Sequence, residues 1–242
     1  MKILIPTAKE LNKKAVAVEK VGLSEKTKII IEEIASKSSG ELAKIYKIKE
    51  EKAKIELERW GRLAGKQNKN YKALELFNGL MYRNIDKKSF NKEDEVYIKE
   101  NIFITSSLYG IINAFEPIAE HRLDFLQNIK VNDQTLKSFW KEDYDRSVGD
   151  ESLVISLLSS EFEEVFSRKV RDKFIKINFM EEKDGVLKVH STISKKARGK
   201  FLTQLIKRKV RTIEELKKID FDNFKYQEEF SKERILVFVA EG

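Results

Sequence analysis

The strongest chemical signal in the sequence is a run of positive charge in its last quarter. Between Asp184 and Glu214 there is no acidic residue, whereas the same stretch holds nine basic ones. The chain carries 48 Lys and Arg against 40 Asp and Glu, a net charge of +8, so this stretch supplies more than the whole surplus. Clustered cations of this kind bind polyanions. We call these nine residues the basic segment: Lys188, Lys195, Lys196, Arg198, Lys200, Lys207, Arg208, Lys209 and Arg211.

A helix is predicted from about Lys195 to Val210, so the cations at the two ends of the basic segment have different electrostatic surroundings. The cations from Lys207 onward fall near the carboxyl end, where the helix dipole favours them without any ligand. The earlier cations fall at the amino end, where they are unfavourable unless an anion joins the free backbone N–H groups. The residues predicted to contact phosphate are Lys195, Lys196, Arg198 and Lys200.

Polar residues that follow predicted strands could serve a hydrolase or a transferase. By type they offer a nucleophile, a base and an orienting carboxylate, but no nucleophile-elbow pattern accompanies them. A salt bridge that fixes the loops is an equal alternative for the charged residues, so the question of an enzyme stays open. The residues are Ser106, Ser107, His121 and Asp124 after one strand, and Ser159 and Glu161 after another.

Cofactor and metal chemistry lack their usual motifs. There is no G-x-x-x-x-G-K-[ST] and no G-x-G-x-x-G, so neither a phosphate loop nor a dinucleotide fingerprint is present. The absence of cysteine removes disulfides, thiolate metal sites and cysteine nucleophiles. His121 and His190 are far apart and belong to no cluster with metal-ligand spacing. The sequence therefore predicts neither a cofactor nor a metal site.

The composition is that of a globular protein. With 242 residues, of which 41% are hydrophobic and 10% aromatic, the chain can bury a full core and is not disordered. No segment approaches the roughly 20 apolar residues that span a bilayer, and the apolar run at the N-terminus is too short for a signal peptide. We expect a soluble, cytoplasmic monomer with no membrane contact.

The hydrophobic pattern predicts an α+β fold. We expect a single domain over residues 1–242, with a mixed β-sheet, surrounding helices and one C-terminal antiparallel hairpin. The hairpin is indicated by Asp184-Gly185 between the β-type runs Phe174–Glu181 and Val186–Ile193. The other predicted strands are Ile3–Ile5, Ile102–Thr105, Leu153–Leu158 and Arg234–Ala240. The predicted helices are Leu23–Ser36 starting at Ser24, Glu41–Trp60, Tyr71–Met81, one from Asn132/Asp133 through Tyr144, Lys195–Val210, and a short one capped by Thr212 and Glu215.

Several of these segments together make the chain similar to the YaaA family of peroxide stress proteins. The most specific is Lys195-Lys196-Ala197-Arg198-Gly199, which matches the family's K-K-A-R-G. The chain departs from the family at Asn113–Glu116, where the pattern R-P-L-D would supply an arginine, and at His121, where the pattern has Tyr. The other matching segments are Ile3–Lys9 (I-L-I-S-P-A-K), Phe77-Asn78-Gly79 with Tyr82 (F-x-G-x-x-Y), Leu108-Tyr109-Gly110 (L-Y-G), Arg122-Leu123-Asp124 (R-L-E) and Ser156–Phe162 (N-L-A-S-x-E-Y).

This resemblance implies a cytoplasmic protein of the oxidative-stress response. It implies a role in limiting free iron during peroxide stress, and DNA binding through a basic cleft with a helix-hairpin-helix-like element, which no segment of this sequence identifies. On the matched motifs, the resemblance adds Lys9, Tyr109, Gly110 and Arg122 to the phosphate- or DNA-binding residues, and Asp124, Ser159 and Glu161 as a polar cluster.

We therefore predict binding of double-stranded or structured DNA, mainly through phosphate contacts and with little sequence specificity. The alternative is an enzyme that acts on a small phosphorylated or nucleotide-like substrate in the same cleft. A third possibility is a partner-binding protein, which is supported only by the amphipathic stripe of residues 41–60. The first prediction depends on a group of uncompensated cations that are open to solvent.

Overall fold

Strands and helices alternate irregularly along the chain in the computed structural model, which describes residues 1–183 and 186–241. The strands are β1 (Lys2–Pro6), β2 (Ala17–Val18), β3 (Asn70–Lys72), β4 (Ile102–Ser106), β5 (Gly110–Asn113), β6 (Pro117–Ala119), β7 (Lys130–Val131), β8 (Gln134–Thr135), β9 (Val154–Ser156), β10 (Ile175–Lys183), β11 (Val186–Lys188), β12 (Asp220–Phe221), β13 (Phe224–Tyr226) and β14 (Ile235–Glu241). The helices are α1 (Glu25–Ala35), α2 (Ser39–Tyr46), α3 (Glu50–Ala64), α4 (Ala73–Leu76), α5 (Leu80–Arg83), α6 (Lys92–Asn101), α7 (Leu136–Val148), α8 (Ser160–Glu163), α9 (Arg168–Arg171), α10 (Ser191–Lys207) and α11 (Ile213–Lys217).

Five parallel strands form the centre of the main sheet, in the order β14-β10-β9-β1-β4. Antiparallel strands extend both edges, with β13 and β12 beyond β14 and β5 beyond β4. In the middle of the sheet, Ile3 of β1 pairs with Ile102 of β4 on one side and with Ile155 of β9 on the other. The predicted α+β fold, a single domain around a mixed sheet, is confirmed.

The alternation of side chains along β1 divides the core between the two faces of the sheet. Ile3 and Ile5 are fully buried on the face that is covered by α5, α6 and α10. Leu4 is fully buried on the opposite face, which is covered by α1, α3 and α7. Because both faces are covered, β1 is apolar in consecutive positions, as is typical of a central parallel strand.

The elements with strong local signals form where the sequence predicts them. Ser24 caps α1 by accepting a hydrogen bond from the backbone N–H of Thr27, and Thr212 with Glu215 forms the capping box of α11. The C-terminal hairpin is confirmed by the antiparallel pairing of β10 with β11, in which Glu181 lies opposite Lys188. The turn residues Asp184 and Gly185 lie outside the described residues.

The prediction of one exposed helix over Glu41–Trp60 is wrong. The segment forms α2 and α3, which are separated at Lys47, a residue in the left-handed region with φ of 52°. Tyr46 and Trp60 are both buried. The Tyr46 hydroxyl donates to the carbonyl of Arg122 (2.7 Å) and accepts from the indole N–H of Trp60 (2.9 Å), so this helix pair packs as part of the core.

Two further predicted helices differ from those observed. Residues 71–81 form the end of β3, then α4 and the start of α5, because the backbone is extended at Phe77 and at Gly79 and interrupts the helix there. Asn132 and Asp133 do not start a helix. Both adopt positive φ (49° and 61°) in the turn between β7 and β8, and Thr135 caps α7.

Helix α10 begins at Ser191, four residues before the predicted start at Lys195. The strand before it pairs only as far as Lys188, and the backbone of His190 is extended at the N-cap position. Lys195 therefore lies in the second turn of the helix. The prediction that Lys195, Lys196 and Arg198 lie at the amino end of this helix, where cations need an anion, is therefore wrong.

Helix α10 passes very close to α5, and the contact falls at Gly199. A Cβ atom at this position would lie 2.2 Å from the carbonyl oxygen of Met81 and 2.9 Å from the Cβ of Asn84. Only glycine allows this approach, since the nearest atom belongs to backbone and cannot rotate away. The glycine of the K-K-A-R-G motif is thus required by helix packing.

We expect Gly199→Ala to lower the free energy of unfolding by about 1–3 kcal/mol, the typical cost of overpacking a tight contact. The matched control is Gly61→Ala in α3, where a Cβ would meet nothing within 4 Å. Because alanine favours a helix over glycine, this control should raise the stability by up to about 1 kcal/mol. Urea unfolding of both variants measures the two effects, and a stabilised Gly199→Ala protein would contradict the close packing of α10 on α5.

Candidate functional site

A cleft of about 910 Å³ opens at the carboxyl ends of β1 and β9. β1 and β9 are neighbours in the sheet. The next central strand after β1 is β4, which pairs with the far edge of β1, whereas the next after β9 is β10, which pairs with the far edge of β9. Open α/β sheets bind ligands where the connections diverge in this way. The cleft is lined by residues that follow the two strands (6–10 and 159–164), by the loop 123–126, by residues 79–83 and by the start of α10.

The segment that follows β1 is held in place by α5 and the residues before it. The Tyr82 hydroxyl donates to the carbonyl of Pro6 (2.7 Å). The backbone N–H of Asn78 donates to the carbonyl of Glu10 (2.8 Å). At Gly79 an added Cβ would lie 2.7 Å from the Cβ of Ala8, so the methyl group of Ala8 packs directly against the backbone of Gly79. These contacts fix the backbone on both sides of Lys9.

An ion pair joins this segment to the loop 123–126. The Lys9 ammonium lies 2.9 Å from a carboxylate oxygen of Asp124, whose side chain is almost fully buried. The other oxygen of Asp124 accepts from the backbone N–H of Leu126 (3.0 Å), and the backbone N–H of Phe125 donates to Glu161 Oε1 (3.1 Å). The loop is thereby tied to the residues after β1 and to those after β9.

Glu161 has an unusual electrostatic environment. Its burial and the neighbouring carboxylate of Asp124 raise the pKa of Glu161 above its ordinary value, against the opposing effects of the Phe125 N–H and Lys9. Glu161 therefore holds a proton more readily than a free glutamate. A carboxyl group of this kind at a cleft can accept or donate a hydrogen bond to a ligand.

The start of α10 forms a cationic side of the cleft, with Ser191, Thr192, Lys195 and Arg198. The Nε of Arg198 is buried and has no hydrogen-bond partner among the described residues. Burial lowers the pKa of the Arg198 guanidinium, while the carboxylate of Glu163 opposes that effect. The group stays charged. Because the Nε is buried, a ligand in the cleft would meet the other N–H donors of this guanidinium, which suit the oxygens of a phosphate.

Ion pairs within the cleft neutralise much of its charge. Lys9 pairs with Asp124, Arg83 with Glu10, and Glu164 with Lys137 outside the cleft. Among the described residues, Lys195 and Arg198 make no salt bridge. What remains for a ligand is therefore two cations on α10 and the carboxyl group of Glu161. The charged residues that line the cleft are Lys9, Arg83, Lys195 and Arg198, with Glu10, Asp124, Glu161 and Glu164.

The expectation that the basic segment is uncompensated is wrong for five of its nine members. These five pair with acidic residues that are distant in sequence or follow α11. Asp94 is almost fully buried, and although burial alone would raise its pKa, hydrogen bonds from two lysines lower it well below the usual range. The pairs are Lys200–Asp222, Lys207–Asp94 (2.7 Å), Lys209–Asp94, Arg208–Asp220 (2.7 Å) and Arg211–Glu100 (3.3 Å).

Comparison with known proteins assigns the chain to a family. The family model described as "Peroxide stress protein YaaA" matches residues 1–230. The chain belongs to the YaaA family. It is 53% identical over 239 residues to a UPF0246 protein of Streptococcus gordonii, with 99% of this chain and 98% of the relative covered. UPF0246 proteins of Streptococcus sanguinis and Streptococcus pneumoniae are 47% and 46% identical over 241 residues, with both chains fully covered.

The matched YaaA-family motifs meet around this cleft, with the exception of Leu108-Tyr109-Gly110. The opening segment contributes Lys9, the R-L-D segment contributes Asp124, the S-x-E segment contributes Glu161 and the K-K-A-R-G segment contributes Lys195 and Arg198. Ser159 of the predicted polar cluster also lines the cleft, and Lys196 is exposed on α10 beside it.

Three of the predicted site residues lie in packed positions away from the cleft lining. Tyr109 packs its ring against His121, and its hydroxyl accepts from the N–H of Ala119 (3.1 Å). Burial raises the pKa of Tyr109 to about 12. At Gly110, which has φ of 78°, a Cβ would lie 2.9 Å from the Trp140 ring. These contacts favour a packing role for the L-Y-G segment, and the Arg122 guanidinium lies over the ring of Tyr46 at 5.5 Å.

Lys200 also lies apart from the cleft. It lines a separate pocket of about 580 Å³ together with Asp222, its salt-bridge partner. The predicted phosphate-binding residues are therefore divided between two places, with Lys9, Lys195 and Arg198 lining the cleft and Lys200 neutralised elsewhere.

The residues considered for catalysis after β4 are buried. His121 is almost fully buried, which lowers its pKa to about 4, and its Nδ1 lies 2.9 Å from the carbonyl oxygen of Ala119. The Ser106 hydroxyl accepts from the backbone N–H groups of Leu108 and Tyr109. His121 therefore supports the loop, and Ser106 organises the turn after β4.

Within the described part of the chain, no group of three or more His, Asp or Glu residues is placed to hold a metal ion. No helix among these residues is long and apolar enough to cross a membrane.

Several residues of the cleft were not predicted from the sequence. Glu10 and Arg83 pair with each other at its edge, and Leu126 presents an apolar side chain that is 67% exposed. Leu126 stands next to the matched Arg122–Asp124 motif, which is the one signal that could have located it. The pattern of apolar residues does not distinguish Leu126, which is exposed, from Leu123, which is buried.

Replacing Glu161 tests its environment through the pH dependence of stability. Because the folded-state pKa of Glu161 is raised, its favourable contribution is present at low pH and is lost as the pH rises through that pKa. Glu161→Gln should therefore increase the free energy of unfolding at about pH 8, relative to the unaltered protein, more than at about pH 4.

Glu164→Gln is the matched control, since Lys137 lowers the pKa of Glu164 and the sign is reversed. The control should lower the stability at about pH 8 and have a smaller effect at about pH 4. Urea unfolding at the two pH values measures both variants. A Glu161→Gln effect that does not change with pH would be inconsistent with a raised pKa.

Proposed function

We propose that this member of the YaaA family binds DNA by its phosphate groups at the cleft, with little sequence preference, and thereby limits iron-dependent damage to DNA during peroxide stress. It would act as a monomer in the cytoplasm, where a bacterial cell holds its DNA. The observation that supports DNA phosphate as the ligand is the pair Lys195 and Arg198, which line the cleft without a salt-bridge partner among the described residues. The connection to iron rests on the family resemblance alone.

The chemistry of this side of the cleft suits a phosphate group. A guanidinium presents its N–H donors in a planar fork that matches phosphate oxygens, and it is less strongly hydrated than an ammonium group. The first turn of the 17-residue helix α10 lies at the same cleft, so its backbone N–H groups and dipole add to the positive potential. Contacts to phosphate carry no information about the base, which favours non-specific binding.

The ion pairs of the basic segment limit how many phosphates the protein can hold. With Lys200 and the cations of residues 207–211 paired, three residues remain on α10, namely Lys195, Lys196 and Arg198. Three phosphate contacts would make the logarithm of the association constant fall with the logarithm of salt concentration at a slope of about −3. Binding should therefore be weaker and less salt-dependent than that of a protein with a long basic track.

The double variant Lys195→Ala/Lys196→Ala tests the proposal, because both side chains are exposed and their removal leaves the core intact. We expect duplex DNA to bind about tenfold more weakly, with a salt slope reduced by about 2. The control Lys52→Ala/Lys54→Ala removes the same charge from exposed positions on α3 and should leave the affinity unchanged. Fluorescence anisotropy of a labelled duplex at several salt concentrations measures both. Equal affinities for the two double variants would exclude α10 as the DNA-binding surface.

A second candidate is an enzyme that acts on a small phosphorylated or nucleotide-like substrate in the same cleft. It is favoured by the volume of about 910 Å³, which falls in the usual range for small-molecule sites, and by Glu161 with its raised pKa. Titration with a nucleoside monophosphate separates the two candidates. Saturable binding of the monophosphate together with no binding of duplex DNA would favour the enzyme.

A further inference from the structure

The size of the cleft limits which part of a DNA molecule can enter it. A space of about 910 Å³ accommodates a ligand of nucleotide size. A DNA duplex is far larger, since its major groove alone is about 12 Å wide. Duplex DNA that is bound by Lys195 and Arg198 would therefore lie along the opening, and only a single nucleotide could occupy the interior.

The distribution of charge inside the cleft indicates a ligand with two different ends. Lys195 and Arg198 attract a phosphate, but Glu161 lines the same cleft. One oxygen of Glu161 accepts from the backbone of Phe125, and no described residue donates to the other. When ionised, this carboxylate repels a second phosphate and accepts hydrogen bonds from N–H or O–H groups. The exocyclic amino groups and ring N–H groups of nucleobases are donors of this kind.

An exposed leucine lies among the residues that line the cleft. The side chain of Leu126 is 67% exposed, yet its backbone is fixed, because its N–H donates to Asp124, which in turn pairs with Lys9. A single exposed leucine is ordinary on a protein surface. In the lining of a cleft that binds phosphate, however, an exposed leucine with a hydrogen-bonded backbone has the character of the apolar wedges that separate stacked bases.

Together, and resting on the proposed DNA binding, we infer that the cleft receives one nucleotide that has left the base stack. Its phosphate contacts Arg198 and Lys195, its base offers hydrogen-bond donors to Glu161, and Leu126 fills the gap that the base leaves in the stack. Nucleotides that unstack at low cost, such as those in mismatches, single strands and ends, should be preferred.

The adenine analogue 2-aminopurine tests this inference, because its fluorescence is quenched in stacked DNA and recovers when the base is unstacked. The probe is a duplex with 2-aminopurine opposite a mismatched base, and anisotropy of the same duplex with an end label reports binding. At saturating protein we expect the fluorescence of 2-aminopurine to rise about threefold or more, and the mismatched duplex to bind more tightly than the matched one.

The variant Leu126→Ala isolates the wedge, and its exposed position makes it safe for folding. It should bind the duplex within about threefold of the unaltered protein but lose at least about half of the fluorescence rise. The control is Val96→Ala, which removes an apolar side chain on α6 that is 56% exposed, and it should change neither signal.

The outcomes separate this inference from the proposed function. Bound DNA without a rise in 2-aminopurine fluorescence would overturn the inference and leave DNA binding in place. An unchanged fluorescence rise in Leu126→Ala would overturn the role of that residue as a wedge. No change in anisotropy with either duplex would overturn the proposed function and the inference together.

Discussion

The close approach of α10 to α5 is the constraint on which the cleft depends. At Gly199 the two helices meet with no side chain between their backbones, and at Gly79, just before α5, the backbone meets the methyl group of Ala8. These two contacts form a continuous path of close packing from the cationic helix to the segment after β1. Because close-packed backbone has no room to adjust, the positions of Lys195 and Lys9 relative to each other are set by packing and not by their charges.

Electrostatics then decides which cations of the basic segment remain for a ligand. Asp94 is an example of an internal partner that neutralises cations of the basic segment. One of its oxygens accepts from the backbone N–H of Asn91 in the capping box of α6, and both oxygens interact with lysines of the basic segment. A buried carboxylate needs such partners, because it is costly to bury alone. The cations near the end of α10 are thus tied to the structure. A net charge of +8 therefore says little about where an anion binds.

The parts of the fold that could be predicted are those whose signals are local. The apolar run of β1, the cap at Ser24 and the capping box at Thr212 each act within a few residues, and each formed as predicted. The start of α10 could not be found in this way, because His190 makes no side-chain cap and the residues before it are of β type. The break at Lys47 was missed for a similar reason, since a lysine with positive φ has no distinctive sequence signal.

For the site, similarity to a family added Lys9 and connected it with residues that the sequence pattern indicated separately. Lys9, Asp124, Glu161 and Arg198 are separated by up to 189 positions, and the parallel sheet brings them to one cleft. The same similarity also selected Tyr109 and Arg122, which the fold places in packed surroundings. Matched motifs therefore mark both kinds of residue, those that shape the cleft and those that face it. The two kinds of residue differ in the burial and the partners of their side chains. Both depend on distant segments, such as the one that contains Asp222, the partner of Lys200.

The remaining cations are not equivalent, and their difference bears on how an anion is held. Lys195 and Lys196 are exposed and well hydrated, so each adds a modest, salt-screened attraction. Arg198 has already lost water around its Nε, and nothing in the described structure replaces that lost hydrogen bond. An acceptor in the cleft would therefore meet the other N–H donors of this guanidinium, close to buried surroundings in which a hydrogen bond is strong. A contact between an anion and the half-buried Arg198 should therefore be screened less by salt than contacts with the exposed Lys195 and Lys196.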